Sequence, residues 1–212
     1  MLGANDGILS TASLILGVAS AGQSHAAILI TGMAGLVAGA MSMAAGEYVS
    51  VSSQSDTEAA DRAREAAELV NEPEDERDEL IGIYVARGLD RPLATAVADQ
   101  LSQKDALAAH LRDELGLASV TTARPVQAAV ASAAAFAAGA ALPLAIAALA
   151  PGAGITWLVT AGSLLCLVLL GAIGAKAGGA PMFRAVLRVT FWGAFAMAAT
   201  AAIGLAFGTS IT

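Results

Sequence analysis

Several side chains in this sequence have types and spacings suited to holding a metal ion. Glu65 and Glu68 are three residues apart and share a helix face, and Glu76 and Glu79 repeat that spacing. If the two helices that carry them form a hairpin, four carboxylates converge. Like charges held together raise the free energy, and a cation or protons between them relieve it. Carboxylate oxygens suit divalent ions such as Fe2+, Mn2+ or Mg2+ better than Cu+. His110 could add a nitrogen donor, and Glu114, one turn later, another carboxylate. A solvated acidic face is the other reading of this spacing, because ExxE pairs recur in amphipathic helices.

A second group lies in apolar surroundings. Asp6 and Glu47 are the acidic residues of the predicted membrane spans, where a charge costs about 2.5–3.5 kcal/mol or more at a helix centre. Met43 precedes Glu47 by one turn, so a thioether and a carboxylate line one helix face, while Met41 points away. A soft sulfur beside a hard oxygen fits a borderline metal such as Fe2+ better than Na+ or K+. A carboxylate in such a path can also carry a proton in exchange for metal. Each residue has a plainer reading too. Glu47 could mark the water interface where its span emerges, Asp6 could be a wet helix cap, and Met43 could be core packing.

The elements that must position these groups follow from composition. Of 212 residues, 57% are apolar and 14% charged, against about 45–50% and about 25% in soluble globular chains. The charge is concentrated: 16 of 18 Asp and Glu residues lie between Asp56 and Glu114. An apolar helix of about 20 residues crosses a bilayer. The spans expected are 7–22 extended back through Met1–Asp6, then 26–50, 126–149, 153–175 and 183–208. The expectation is an all-α integral membrane protein with five transmembrane helices and a cytoplasmic helical insert between the second and third. Its segments are 1–51 (helices 1 and 2), 52–118 (the acidic insert) and 119–212 (helices 3–5).

Within the insert, helices are expected over about Ser55–Val70, over about Glu74–Arg87 ending at Gly88, from Asp90-Arg91-Pro92 onward, and over about Ser102–Leu115. With five spans, all 11 Lys and Arg residues fall on one side, which the positive-inside rule makes cytoplasmic, with the C-terminus outside. Gly35 and Gly39 have GxxxG spacing, a sign of tight helix packing. The lone Cys166 cannot form an internal disulfide. An acidic insert disfavours nucleic acid as a partner. No nucleophile–base set, phosphate loop or ExxH di-iron motif is present, so an enzyme is not expected.

Taken together, Asn5-Asp6-Gly7, Met41-Ser42-Met43-Ala44-Ala45-Gly46-Glu47-Tyr48, the Glu-rich insert and Ala141-Leu142-Pro143-Leu144 resemble the vacuolar iron transporter family over essentially the whole chain. The resemblance implies a homodimeric exchanger in the lipid bilayer. It would move Fe2+ out of the cytosol against protons, with some Mn2+, and would hold no prosthetic group. It implies a transport path through Asp6, Met43 and Glu47, and metal capture by Glu65, Glu68, Glu76, Glu79 and Glu114. Where some members carry Met, this chain has His110, whose imidazole also binds Fe2+ and Zn2+. Family members have residues before the Asp, so roughly ten more upstream would be needed to place Asp6 mid-span at 1.5 Å per residue. For a bacterial inner membrane, the expectation is an Fe2+ exporter. The alternatives are an Mn2+ exporter of the same mechanism and a membrane-anchored metal sensor or buffer.

Overall fold

The computed structural model describes residues 2–117, 123–150 and 152–208. Seven α-helices follow in order: α1 Leu2–Ser20, α2 His25–Asn71, α3 Pro73–Ala86, α4 Arg91–Asp113, α5 Pro125–Leu149, α6 Ile155–Ala177 and α7 Met182–Gly208. A 3-10 turn at Gly152–Gly154 precedes α6. Among the described residues, four helices are long and apolar enough to cross a membrane, namely α2, α5, α6 and α7. The first helix, with Asn5 and Asp6 in its opening turns, falls short of that measure, so four spans are supported where five are expected.

The chain divides into two compact units, one of Met1–Tyr48 with Val126–Thr212 and one of Val49–Pro125. The expected insert border at Ala118 lies outside the described residues.

In the first unit, α1 packs against α6 and α7, and these two pack on each other. Ala12, Ile15 and Leu16 of α1, Ile28 of α2, Ala147 of α5, Ile155 and Val159 of α6, and Met197 of α7 form its buried core. Small residues set the helix spacing. A methyl group on Gly7 would collide with the Phe136 carbonyl, and one on Gly139 with the Ala4 carbonyl, so α1 and α5 touch backbone to backbone beside Asp6. Gly139→Ala should therefore force the pair apart, at a cost of about 1–3 kcal/mol. A lowered unfolding temperature of the purified protein, with Gly46→Ala as an unaffected control facing open space, checks this.

The GxxxG pair is used within the chain. Gly35 receives the Leu14 side chain of α1 and Gly39 receives the Phe136 ring of α5. That spacing therefore carries no argument for a second copy.

The second unit contains the C-terminal part of α2 with α3 and α4. Residues 52–57 are polar but contain no Gly or Pro, and the helix runs on through 50–55, where a stop is expected. Its side chains support it locally: Thr57 Oγ1 donates to the Ser53 carbonyl (3.0 Å), and Gln54 Nε2 donates to Glu58 Oε1 (2.9 Å). The helix ends at Asn71, just before Pro73 opens α3. Gly88 turns the chain with φ +101 after α3. The Asp90 carboxylate then accepts from the Leu93 N–H (2.9 Å) and caps α4. A fresh start was expected near Ser102, but the break in α4 falls at Asp105, which is extended (φ −167, ψ 94) and caps the Ala108 N–H. Leu80, Ile81 and Tyr84 of α3 pack against Ala94, Ala98 and Ala109 of α4 as this unit's apolar core.

Candidate metal centre

The apolar stripe of α3 has a carboxylate at its head. Glu76, Leu80, Ile81 and Tyr84 are the buried residues of that helix, at i, i+4, i+5 and i+8. On α4, the turn capped by Asp105 brings His110 inward beside buried Ala109 and Leu111. Glu65, on the last turns of α2, is 1% exposed, as is His110. Donor atoms of Glu65, Glu76, His110 and Glu114 all lie within 4.8 Å of one another.

The arrangement is rich in acceptors and poor in donors. His110 Nδ1 stands 2.9 Å from Glu65 Oε1, 3.1 Å from Glu114 Oε2 and 3.5 Å from Glu76 Oε2. One nitrogen carries one proton at most. Among the described residues its angles make a hydrogen bond with Glu114 only, and Glu65 Oε1 and Glu76 Oε2 are left buried without a hydrogen-bond partner. Such atoms are costly unless protons or a cation meet them. Separations of this size match the ligand edges, roughly 3–4 Å, around an ion with bonds of about 2.0–2.2 Å. Three oxygens and one imidazole form a donor set for Fe2+, Mn2+ or Zn2+.

Electrostatics agree with that reading. Burial, then the Glu114 charge, pushes the Glu65 carboxyl up from 4.5 to about 7, with His110 opposing. Glu76 is raised as well, chiefly by burial. An unfolded Glu65 titrates near its ordinary value, so between about 4.5 and about 7 the folded, metal-free protein holds the extra proton. Stability of the metal-free unit should then fall as pH rises across that window, by up to about 3 kcal/mol. Metal must displace the proton, so its affinity should climb over the same range and level off above it. Hydrogen exchange of α3 and α4 amides, beside metal titrations at several pH values, reads both trends.

The nine residues singled out in the sequence are placed unequally. Glu68 lies outside the four-residue group and reaches toward Arg64 (3.9 Å), and Glu79 is exposed. The face shared within each ExxE pair is therefore split, one carboxylate of each pair turning inward. A helix whose face curves past a neighbour over 3.6 residues per turn buries only the member aimed at the axis of contact. In the membrane unit, Asp6 and Glu47 are exposed on the surface of the chain and Met43 is half-buried. Gly7 and Gly39 both abut Phe136.

One supporting group escaped the sequence reading. The Asp113 carboxylate, 9% exposed, accepts from Tyr84 OH (2.7 Å) and Arg87 Nη1 (2.6 Å), and also from Arg112. Arg87 Nη2 adds a bond to the Asp113 carbonyl (2.8 Å). These bonds, that from Arg112 foremost, hold the Asp113 carboxyl below the usual range. They tie α3 to the turn that carries His110 and Glu114. Only the adjacency of Asp113 to Glu114 hinted at this, since a pairing with Tyr84 across 29 residues has no local signature. Asp113→Ala leaves the buried Tyr84 hydroxyl unpaired and should destabilise the unit by about 1–3 kcal/mol. It should also weaken metal binding, which a metal titration of the variant checks.

The chain as a whole matches known sequences. A family model described as the VIT family matches residues 1–205. Over 208 residues the chain is 45% identical to a vacuolar iron transporter of Acanthamoeba castellanii, covering 96% of this chain and 76% of that protein. It is 39% identical to vacuolar iron transporter homolog 1 of Oryza sativa subsp. japonica, over 98% of this chain and 72% of the relative. With vacuolar iron transporter homolog 1 of Arabidopsis thaliana the identity is 36%, over 99% and 82%. These matches, in a chain with four helices among the described residues long and apolar enough to cross a membrane, place it in the vacuolar iron transporter (VIT) family.

Proposed function

We propose that this protein is a proton-coupled exporter of Fe2+ from the cytosol, and that its insert captures the ion before transport. The observation that carries this reading is the buried group of three carboxylates and one imidazole, in a chain whose relatives are named vacuolar iron transporters. The four apolar helices and α1 packed among them support a five-span bundle with the insert between the second and third spans. All 11 Lys and Arg residues then lie on the cytosolic face, with the C-terminus outside, as for a bacterial inner membrane protein.

The path runs through Glu47, Met43 and Asp6. Both carboxylates are exposed on the isolated chain, and a carboxylate facing lipid is unfavourable. The same half of α2 also leaves Met33 exposed, about 40° around the helix from Glu47. A second copy covering this face would enclose both carboxylates and make the path at a homodimer interface. Fe2+ taken up at Glu65, Glu76, His110 and Glu114 passes to Glu47 and Met43, then to Asp6. Protonation of Asp6 and Glu47 from outside releases it, and deprotonation inside resets the carrier.

Fe2+ entry into proteoliposomes with a trapped metal indicator, with and without a pH gradient, tests this directly. Gradient-dependent entry is expected. Metal binding without entry would instead favour a membrane-anchored sensor or buffer. The insert's oxygen and nitrogen donors suit Mn2+ as well, and competition in the same assay separates an Mn2+ exporter from an Fe2+ exporter.

A further inference from the structure

We propose that the α6–α7 end of the membrane unit binds the phosphate of an anionic phospholipid, with an acyl chain of that lipid lying along an aromatic ridge of α7. This rests on α7 crossing a bilayer and not on which ion the protein moves. Arg184 and Arg188 are four residues apart in α7, and Phe191 and Phe195 follow at seven and eleven residues from Arg184. At 3.6 residues per turn these four positions fall in one narrow sector of the helix, with Trp192 on its flank. The sector is open: Arg184 and Arg188 are exposed, and Phe191, Trp192 and Phe195 keep 58%, 59% and 58% of their surface. The three rings form a continuous ridge, edge to face, with centroids 5.5 Å and 5.8 Å apart.

Lys176 in the last turn of α6 adds a third cation at the same end. The two helices run close there, since a methyl on Gly171 would stand 3.3 Å from Val186 Cα, and a short turn through Gly179 (φ +64) joins them. None of the three cations takes part in an ion pair among the described residues, and the sequence holds no Asp or Glu after Glu114. Paired guanidinium groups match phosphate oxygens. Phe195 lies about 10 Å along the axis from Arg188, so a headgroup on the arginines sets its chain on the rings. That continuity from cation to aromatic surface favours a lipid over a free phosphate or an acidic peptide, neither of which would use the ridge.

The test uses the full-length protein in mixed phosphatidylglycerol and phosphatidylcholine of identical acyl chains, with retained lipid counted by native mass spectrometry. The wild type should retain phosphatidylglycerol preferentially. Arg184→Gln with Arg188→Gln should reduce that preference roughly tenfold or more, as for two juxtamembrane cations. Phe191→Ala with Phe195→Ala should lower retention while leaving the arginines in place. Glycerol phosphate at millimolar concentration should not displace the lipid. An unchanged preference in the double arginine variant, or full displacement by glycerol phosphate, would overturn the proposal. Should the double variant fail to fold, Arg188→Gln alone, checked for helicity, must still weaken the preference, and its failure to do so would equally overturn it.

Discussion

Asp6→Ala is expected to reduce gradient-driven Fe2+ entry to the level of empty liposomes, a loss of roughly 100-fold or more, because the proposed path makes Asp6 its charged ligand. No other carboxylate lies in α1 to replace it. The loss should not come from misfolding. Asp6 is exposed, its side chain takes part in none of the ion pairs among the described residues, and the bond from Ser10 Oγ is to its backbone carbonyl (2.7 Å). Metal binding by the insert should be unchanged in the same variant. Asp6→Asn separates charge from shape, and inactivity of both substitutions is expected. Full transport by Asp6→Ala would remove this residue from the path.

Glu65→Gln combined with Glu76→Gln is expected to weaken capture by the insert by roughly 100-fold or more, because loss even of an outer-shell partner costs about 10–100-fold. Both carboxylates are buried and aimed at the same point as His110 Nδ1. Removing their charges also relieves the repulsion that burial makes severe, so the metal-free unit should become more stable as metal affinity falls. A variant damaged only in its fold would lose both. Glu68→Gln with Glu79→Gln should leave affinity near the wild type, since Glu68 reaches toward Arg64 and Glu79 is exposed. Equal losses from the two double variants would show that the capturing group is wider than the four converging residues.

The contrast between those pairs shows how far the sequence could be read. Spacing puts Glu65 with Glu68 and Glu76 with Glu79 on shared faces, which is a statement about one helix at a time. Which member of each pair points at His110 depends on where α2, α3 and α4 cross, and no local pattern encodes that. The fold of α4 has the same character. Ser102 and Asp105 are both capping types, and α4 breaks at Asp105, whose carboxylate accepts from the Ala108 N–H.

The apolar helices, the concentration of acidic residues between Asp56 and Glu114, the helix boundaries at Pro73, Gly88 and Asp90, and the inventory of possible ligands are all legible in the chain. These follow from hydropathy, backbone restriction and charge, all properties of neighbouring residues. Tertiary structure alone decided that the GxxxG pair meets Leu14 and Phe136, that Gly7 and Gly139 bring two backbones together, and that Asp113 ties α3 to the last turn of α4. It also selected one carboxylate from each ExxE pair to meet His110. Contacts between residues far apart in sequence depend on how helices cross, and crossing is set by side-chain shapes on both partners at once.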